Sequence, residues 1–274
     1  MSKPLVSVII PTYNSEKTLP LCLESIKRQT YKNIEVIIVD NFSVDRTVYI
    51  AKSYGVKIIQ ERAERGKAKN IGLKLANGQF ILFIDSDMEL TSKVIEECVT
   101  LMKSKQKIGG IIIPEKSVGS SYWVKVRDFE RSFYAGTPIE SPRFFRRNIA
   151  LEVGGFDEDV VFYEEATLPY KMEERGYNVK ARIKSCILHH EEDFSLMRWL
   201  VKKYYYGRTA WRYILRYRRS GTKQVSPLYR FGLFLKNKKF YSKPLLGLGV
   251  LVLKYLEYVA TIIGYLVGKV KDKE

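Results

Sequence analysis

Phe80-Ile81-Leu82-Phe83-Ile84-Asp85-Ser86-Asp87-Met88-Glu89-Leu90 is the stretch on which the reading of this chain turns. Its apolar run is too short for a lipid-spanning helix and rich in Ile and Phe, which predicts a buried strand running into two carboxylates one residue apart. In open α/β sheets, ligands bind beyond such strand ends. Side chains alternate along an extended segment, so Asp85 and Asp87 are expected to point the same way, toward one hard cation or one metal-bound diphosphate. A strand closing in a polar turn would look the same in isolation, so the flanking segments have to decide.

Upstream, Leu5–Ile10 reads as a buried strand ended by Pro11-Thr12-Tyr13-Asn14-Ser15, with a helix beyond it capped by Ser15 or Asn14. Ile34–Val39 reads as a second strand, closed by Asp40-Asn41-Phe42-Ser43, and Asp45–Tyr54 as a short helix. Gly55 turns the chain into a strand from Val56 to Gln60. Ala63–Ala76 then reads as a loop opening a helix, with Arg65, Gly66, Lys67 and Lys69 placed to offer backbone N–H groups and cations to phosphate. This strand–helix alternation predicts a mainly parallel α/β sheet with right-handed crossovers. Thr12, Asn14, Asp40, Glu61, Asp85 and Asp87 all fall at strand ends, where one crevice would take a nucleotide.

A chain of 274 residues suits one large domain with an appendage. Cys22, Cys98 and Cys186 are odd in number and lack paired or metal-like spacing, which argues against a disulfide framework and favours a reducing compartment. They are expected to be small core residues. The N-terminus opens directly onto a strand-like run without a charged lead and apolar signal core, so the folded part is expected in the cytoplasm. The net charge of +17 is uneven: residues 194–274 hold 18 Lys+Arg against 3 Asp+Glu, leaving 29 against 27 in residues 1–193. Such asymmetry points to a polyanionic partner, nucleic acid or an anionic membrane surface.

Taken in order, Val6-Ser7-Val8-Ile9-Ile10-Pro11-Thr12-Tyr13-Asn14, Ile37-Ile38-Val39-Asp40-Asn41-Phe42-Ser43-Val44-Asp45-Arg46-Thr47, Gly66-Lys67-Ala68-Lys69-Asn70-Ile71-Gly72, Ala76-Asn77-Gly78 and Phe83-Ile84-Asp85-Ser86-Asp87 resemble family 2 of the glycosyltransferases, which have the GT-A fold. A second block, Arg146-Arg147, Val153-Gly154-Gly155-Phe156-Asp157-Glu158, Glu164-Glu165-Ala166-Thr167-Leu168 and Glu174-Arg175-Gly176-Tyr177, extends the resemblance to about residue 190. The resemblance implies a GT-A catalytic domain over residues 1–193, while the charge and apolar pattern of 194–274 predict a basic, aromatic-rich helical membrane-association region there.

By the same resemblance, Pro11, Tyr13, Asp40, Lys69 and Asp85 contact the nucleotide-sugar donor, with Asp40 accepting from a base N–H or a ribose hydroxyl. Asp87 coordinates Mn²⁺ or Mg²⁺, with Asp85 and His189 as further metal-site residues. Glu165 is the general base that deprotonates the acceptor hydroxyl, Glu164 sharing the role. This chain departs from the family in two places. Asp40-Asn41-Phe42-Ser43 stands where the family usually has Asp-Asp-Gly-Ser, and Lys69 stands at a position usually occupied by Arg. Tyr122-Trp123 and Phe129–Tyr134 serve either an acceptor-binding element or the core.

In the tail, Ser195 can cap a helix in which Leu196, Trp199, Leu200, Tyr204, Trp211, Ile214 and Leu215 recur at helical spacing among Arg198, Lys202, Lys203, Arg208, Arg212, Arg216, Arg218 and Arg219. A basic amphipathic helix of this kind can lie on anionic lipid. Leu245–Gly268 is long enough to span a bilayer, but Lys254 and Glu257 near its centre would cost roughly 2.5–3.5 kcal/mol each, which favours an in-plane helix. So much Leu, Val and Ile needs an apolar solvent, and that argues against nucleic acid as a partner. The expected function is therefore a metal-dependent, inverting transfer of sugar to a hydroxyl of a lipid-linked saccharide or glycolipid at the cytoplasmic membrane face. A polyprenyl-phosphate glycosyltransferase and a membrane-binding module with a vestigial nucleotide site are the alternatives.

Overall fold

The structure, a computed structural model, describes residues 3–218 and 221–271, and these separate into two compact units. Unit 1 takes the chain up to Lys116, Ser141–Glu158 and Glu164–His190. Unit 2 takes Ser117–Glu140, Asp159–Tyr163 and the chain from Glu191 onward, so it draws in two segments upstream of residue 193.

Unit 1 runs through β1 (Val6–Thr12), α1 (Leu19–Lys27), β2 (Ile34–Asp40), α2 (Thr47–Ser53), β3 (Lys57–Gln60), α3 (Arg65–Leu75), β4 (Phe80–Phe83), β5 (Met88–Leu90), α4 (Val94–Ser104), β6 (Gly110–Ile112) and β7 (Glu115–Val118). After β7 the chain enters unit 2 through α5 (Tyr122–Arg131) and returns with β8 (Phe144–Arg146) and α6 (Arg147–Glu152). Unit 1 closes with α7 (Glu164–Glu174), β9 (Ala181–Arg182) and β10 (Ile187–His190).

The main sheet has the order β3-β2-β1-β4-β8-β6-β9. The first four strands are parallel, and β8 runs antiparallel between β4 and β6. β1 pairs with β2 on one side and with β4 on the other, so the winding reverses at β1/β4, the place where an open sheet leaves a crevice beyond its carboxyl ends. The expected mixed, mainly parallel α/β architecture is the one observed.

Both faces of the sheet are buried, which is why these strands read as continuous apolar runs. Val6, Val8, Ile10, Phe80, Leu82 and Ile84 pack into one core with residues of α1 and α4. The intervening Ile9, Ile81 and Phe83 pack into the other with residues of α3 and α7. Cys22 and Cys98 are buried in the first core, as expected, and all three cysteines are free. The cap of α1 differs from expectation. Thr18 precedes the helix and makes no side-chain cap, whereas Asn14 takes up a left-handed φ of 47° and its Oδ1 accepts from Val44 N–H at 3.0 Å. The residues expected to start the helix lace two loops together instead.

Unit 2 is helical: α5, α8 (Leu196–Gly207), α9 (Ala210–Arg216), α10 (Thr222–Val225), α11 (Pro227–Leu235), α12 (Lys238–Tyr241) and α13 (Pro244–Lys271). Ser195 Oγ caps α8 by accepting from Arg198 N–H, as expected. Arg219, counted among the tail's cations, lies outside the described residues. Val126, Phe129, Phe133, Phe234, Phe240, Val250 and Leu253 form the core of this unit, so the aromatic run around residue 130 is core here. Gly264 and Gly268, four apart on α13, let α8 approach closely: a Cβ on Gly264 would lie 2.1 Å from Tyr204 O. Lys254 and Glu257 are 5% and 6% exposed, Lys254 bridging Glu130 and Glu257 and Glu257 also accepting from Trp199 Nε1. Leu248, Val252, Tyr255, Val259, Ile262 and Leu266, alternating three and four apart, face outward.

α3, which carries Arg65 and Lys69, seats on β1 through Gly72, where an added Cβ would meet Ile9 Cγ2 at 2.3 Å. Gly72→Ala is expected to lower stability by about 1–3 kcal/mol through overpacking against a fully buried strand. A urea midpoint equal to that of the wild type would show that the helix can back away freely.

Candidate active site

Asp85 and Asp87 do not lie on an extended strand. β4 stops at Phe83, and the segment between it and β5 is a turn in which Met88 N–H donates to Asp85 C=O at 3.2 Å. Both carboxylates therefore stand in a turn beyond the end of β4 rather than on alternating strand positions. β10 then runs antiparallel to β5 with His189 opposite Met88, and His190 N–H donates to Asp87 C=O at 2.9 Å. That register brings His189 Nε2 to 3.1 Å from Asp87 Oδ2 across 102 positions of sequence. His190 is held elsewhere, 2.9 Å from Glu89 Oε2.

Arg143 is a site residue that local sequence did not mark. Its C=O accepts from Phe83 N–H at 2.9 Å and its N–H donates to Ile111 C=O at 3.1 Å, which holds it beside the last residue of β4. Its guanidinium donates to Glu115 Oε1 and lies 3.9 Å from Asp85 Oδ2, while Glu115 Oε2 lies 4.0 Å from His189 Nδ1. Only the insertion of antiparallel β8 next to β4 brings these residues together. Burial pushes the Asp85 carboxyl up, but Arg65, Arg143, Lys69 and His189, in that order, pull it far below the usual carboxylate range. Asp85 is therefore a fixed anion.

The residues fit a divalent ion that arrives with phosphate. Asp87 Oδ1 is buried and has no hydrogen-bond partner, a costly state for an ionised oxygen unless a ligand completes it. No group of three or more His, Cys, Asp and Glu among the described residues would hold an ion by itself. Magnesium sites in nucleotide enzymes use one or two carboxylates, with substrate phosphates and water supplying the rest. Asp87, with Asp85 and His189 beside it, is such a partial set.

α7 begins at the acidic pair. Lys69 Nζ lies 2.8 Å from Glu164 Oε1, both side chains almost fully buried, and Lys69 also sits over the Phe156 ring at 5.1 Å. Burial opposes the Glu164 charge, yet Lys69 and then Arg65 hold its pKa down at about 2. Glu165 is the opposite case: burial, the Glu164 charge and a hydrogen bond with Glu164 push it up to about 7. Two adjacent carboxylates thus take different roles, one permanently ionised and one able to exchange a proton near neutrality. The free phosphate cation expected at Lys69 is instead a buried partner of Glu164. Arg65, one turn earlier on α3, is the cation acting most strongly on Asp85.

Asp40 is held at the junction of three strand ends. It is fully buried and accepts from Thr12 Oγ1 at 2.9 Å, Ser43 Oγ at 2.5 Å, Ser43 N–H at 2.9 Å and Gln60 Nε2 at 3.1 Å. With these four donors Asp40 ties the ends of β1, β2 and β3 together. Pro11, next to last in β1, lies opposite Val39, and Tyr13 stands 63% exposed just beyond the strand.

The glycosyl transferase family 2 model matches residues 7–157. The chain belongs to that family. Among curated relatives, "Glycosyltransferase GlyG" of Streptococcus pneumoniae is 34% identical over 136 residues, 46% of this chain and 45% of its own length. The poly(ribitol-phosphate) beta-N-acetylglucosaminyltransferase TarS of Staphylococcus aureus is 35% identical over 105 residues, 35% of this chain and 18% of its own. The matched stretch thus spans less than half the length of either relative. Among solved structures, a Pyrobaculum calidifontis mannosyltransferase in complex with GDP-Man and Mn²⁺ aligns with 97% of this chain and 88% of its own, with TM-score 0.67 and 17% identity. A TarS fragment in complex with UDP-GlcNAc aligns with 98% of this chain and 92% of its own, with TM-score 0.61 and 20% identity. The shared fold is that of GT-A glycosyltransferases.

The split between the two glutamates is testable. Glu164→Gln leaves Lys69 buried without its counter-charge, so it should cost about 3–5 kcal/mol of stability. Glu165→Gln should leave the thermal midpoint near that of the wild type. For turnover that requires ionised Glu165, the acid limb of kcat should fall with an apparent pKa near 7. In Glu164→Gln that limb should move to lower pH, because the neighbouring negative charge is gone. A limb that stays in place would show that the pair does not act as described.

Proposed function

We propose that this chain is a divalent-metal-dependent, inverting glycosyltransferase that moves a sugar from a nucleoside-diphosphate sugar to a hydroxyl of a lipid-linked saccharide or glycolipid at the cytoplasmic face of a membrane. The observation that carries the reading is the sharing of one electrostatic field by two carboxylate sets. Arg65 acts on Asp85 and, after Lys69, on Glu164, while Arg143, which donates to Glu115 and lies 3.9 Å from Asp85 Oδ2, also feels Glu165. A donor-side anion pair and a proton acceptor are thus within electrostatic reach of each other, as single-displacement glycosyl transfer requires. GDP-Man and UDP-GlcNAc, bound in the two structures of like fold, share the nucleoside-diphosphate sugar chemistry assigned to the donor.

Asp87, with Asp85 and His189, would hold a divalent cation whose chemistry is Lewis-acid stabilisation of the departing diphosphate. Arg65 and Arg143 contribute fixed positive charge that needs no reorganisation as negative charge grows on the leaving group. Glu165 takes the acceptor hydroxyl's proton as that oxygen bonds to sugar C1 and the C1–oxygen bond to the diphosphate breaks. An acceptor phosphate is already ionised and needs no such base, so a glutamate with a raised pKa favours a hydroxyl nucleophile.

Unit 2 supports attachment to a membrane. By length and composition α13 could cross a bilayer. The cost expected for Lys254 and Glu257 in lipid does not arise, because both are turned inward and paired. What favours an in-plane helix is that α5 and α8 cover one side of α13, leaving the row from Leu248 to Leu266 to meet the acyl region. The exposed cations among the 18 Lys+Arg of residues 194–274 would add attraction to anionic headgroups.

Asp87→Ala should lose transfer and the Mn²⁺-dependent part of nucleotide binding while keeping its thermal midpoint; unchanged turnover would sink the assigned site. For the membrane face, we expect the full-length protein to sediment with anionic vesicles at low ionic strength and to be partly released by salt. A Leu248→Asp, Ile262→Asp variant should stay in the supernatant while still binding nucleoside diphosphate. Sedimentation equal to that of the wild type would remove α13 from the contact.

A further inference from the structure

Five residues, Asp159–Tyr163, separate the Gly154–Glu158 motif from the acidic pair, and they belong to unit 2. That unit holds them at nearly every position. The Asp159 carboxylate accepts from both terminal nitrogens of Arg216 on α9 at 2.8 and 2.9 Å, and its C=O accepts from Arg212 at 3.2 Å. Val161 and Phe162 both donate their N–H groups to Thr209 Oγ1, each at 3.1 Å. Tyr163 Oη accepts from Arg230 of α11 and donates to Gln224 C=O at 3.3 Å, and its ring packs 5.6 Å from that of the fully buried Tyr213. Arg230 donates in turn to Gln224 C=O at 3.1 Å and to Tyr134 Oη at 2.9 Å. Tyr163 has a φ of 53°, a left-handed conformation that is an outlier for a bulky residue and persists only where the surroundings over-determine it. The next residue is Glu164, the first of α7.

We propose that Thr209 and Tyr163 are positioning residues for Glu165: by holding Asp159–Tyr163, the helical unit sets the path on which the backbone delivers the base at the start of α7. The inference rests on the glycosyltransferase reading and deepens it. A general base works only within hydrogen-bond reach of the proton it takes, and displacements of about 1 Å are costly to the rate. α7 does not secure that position unaided. Pro169 stands four residues after Glu165 and has no N–H to close the helical bond to Glu165 C=O, so the helix lacks a rung at the base itself. Lys69 fixes the Glu164 side chain, whereas the path of the backbone into Glu165 is set by the left-handed turn at Tyr163. Arg212 and Arg216, read from the sequence as part of a basic lipid-facing helix, work in this clamp. Residues of the tail thus serve transfer as well as attachment.

The test compares Thr209→Val, Thr209→Ser and Tyr163→Phe in the full-length protein. Thr209→Val keeps the shape but removes the acceptor for two N–H groups, Thr209→Ser keeps the hydroxyl, and Tyr163→Phe keeps the ring while losing the bonds to Arg230 and Gln224. Release of UDP from UDP-GlcNAc and of GDP from GDP-Man in Mn²⁺, with water as acceptor, gives kcat, and calorimetric titration with UDP and GDP gives nucleotide affinity. Thr209→Val and Tyr163→Phe should lower kcat about tenfold or more at unchanged nucleotide affinity, and Thr209→Ser should keep the wild-type rate. A second readout needs no turnover: the infrared carboxyl band that Glu165→Gln removes reports the protonation of Glu165. Its midpoint near 7 should fall in Thr209→Val, because burial is the largest cause of the raised value and a displaced carboxyl is better hydrated. Wild-type kcat in both variants overturns the inference, and so does a parallel loss of rate and nucleotide affinity, which marks a general loosening of the fold. A wild-type protein that binds and cleaves neither nucleotide sugar overturns the glycosyltransferase reading, whereas an unmoved carboxyl band in Thr209→Val overturns the positioning alone.

Discussion

The buried ion pair between Lys69 and Glu164 is the contact on which the candidate site depends. It joins α3, which packs on β1, to the first turn of α7, and it commits Glu164 to the ionised state. Glu165 then has an anion as its immediate neighbour and is driven to hold a proton near neutrality. The same pair engages the Lys69 ammonium, and Arg65 and Arg143 act on Asp85 more strongly than Lys69 does. A buried pair of this kind contributes less to net stability than it costs to break, so its value lies in positioning.

Around that pair the rest of unit 1 is scaffold. Asn70 of α3 donates to Phe156 C=O and accepts from Phe156 N–H, and Gly155, at a φ of 68°, leaves no room for a Cβ against Asn70 Oδ1. The Gly154-Gly155-Phe156-Asp157-Glu158 motif is thus a clamp on α3. It sets where the chain stands as it approaches Glu164. On the opposite strand end, Asp40 performs the equivalent task for the three donor-side loops. Arg146, quoted for its likeness to the family, donates to the carbonyls of Met102, Lys105 and Ile108 and so closes the end of α4.

Unit 2 reverses the usual arrangement of an amphipathic helix. Its longest helix turns Lys254 and Glu257 to protein and a row of apolar side chains to the outside. Water would select against that row, whereas an apolar medium would not. Buried charge at the centre of an apolar helix therefore does not decide by itself whether the helix meets lipid; what counts is which side the charge faces.

The linear order of residues was enough to establish the alternating α/β plan, the parallel order of the early strands and the family, because burial on both faces leaves long apolar runs and each strand end leaves its own polar signature. It also marked Asp85 and Asp87 by their place after an apolar strand, and likeness to the family's motifs marked Glu164, Glu165 and His189. Only the tertiary structure decided how those residues are used. Arg143 and Glu115 join the site because an antiparallel strand inserts beside β4, and no periodicity announces such an insertion. The anchoring of Asp40, the engagement of Lys69 and the inward turn of Lys254 all depend on partners supplied by other segments. A side chain's charge is written in the sequence, but its protonation and its availability are set by what folding places within a few ångströms of it.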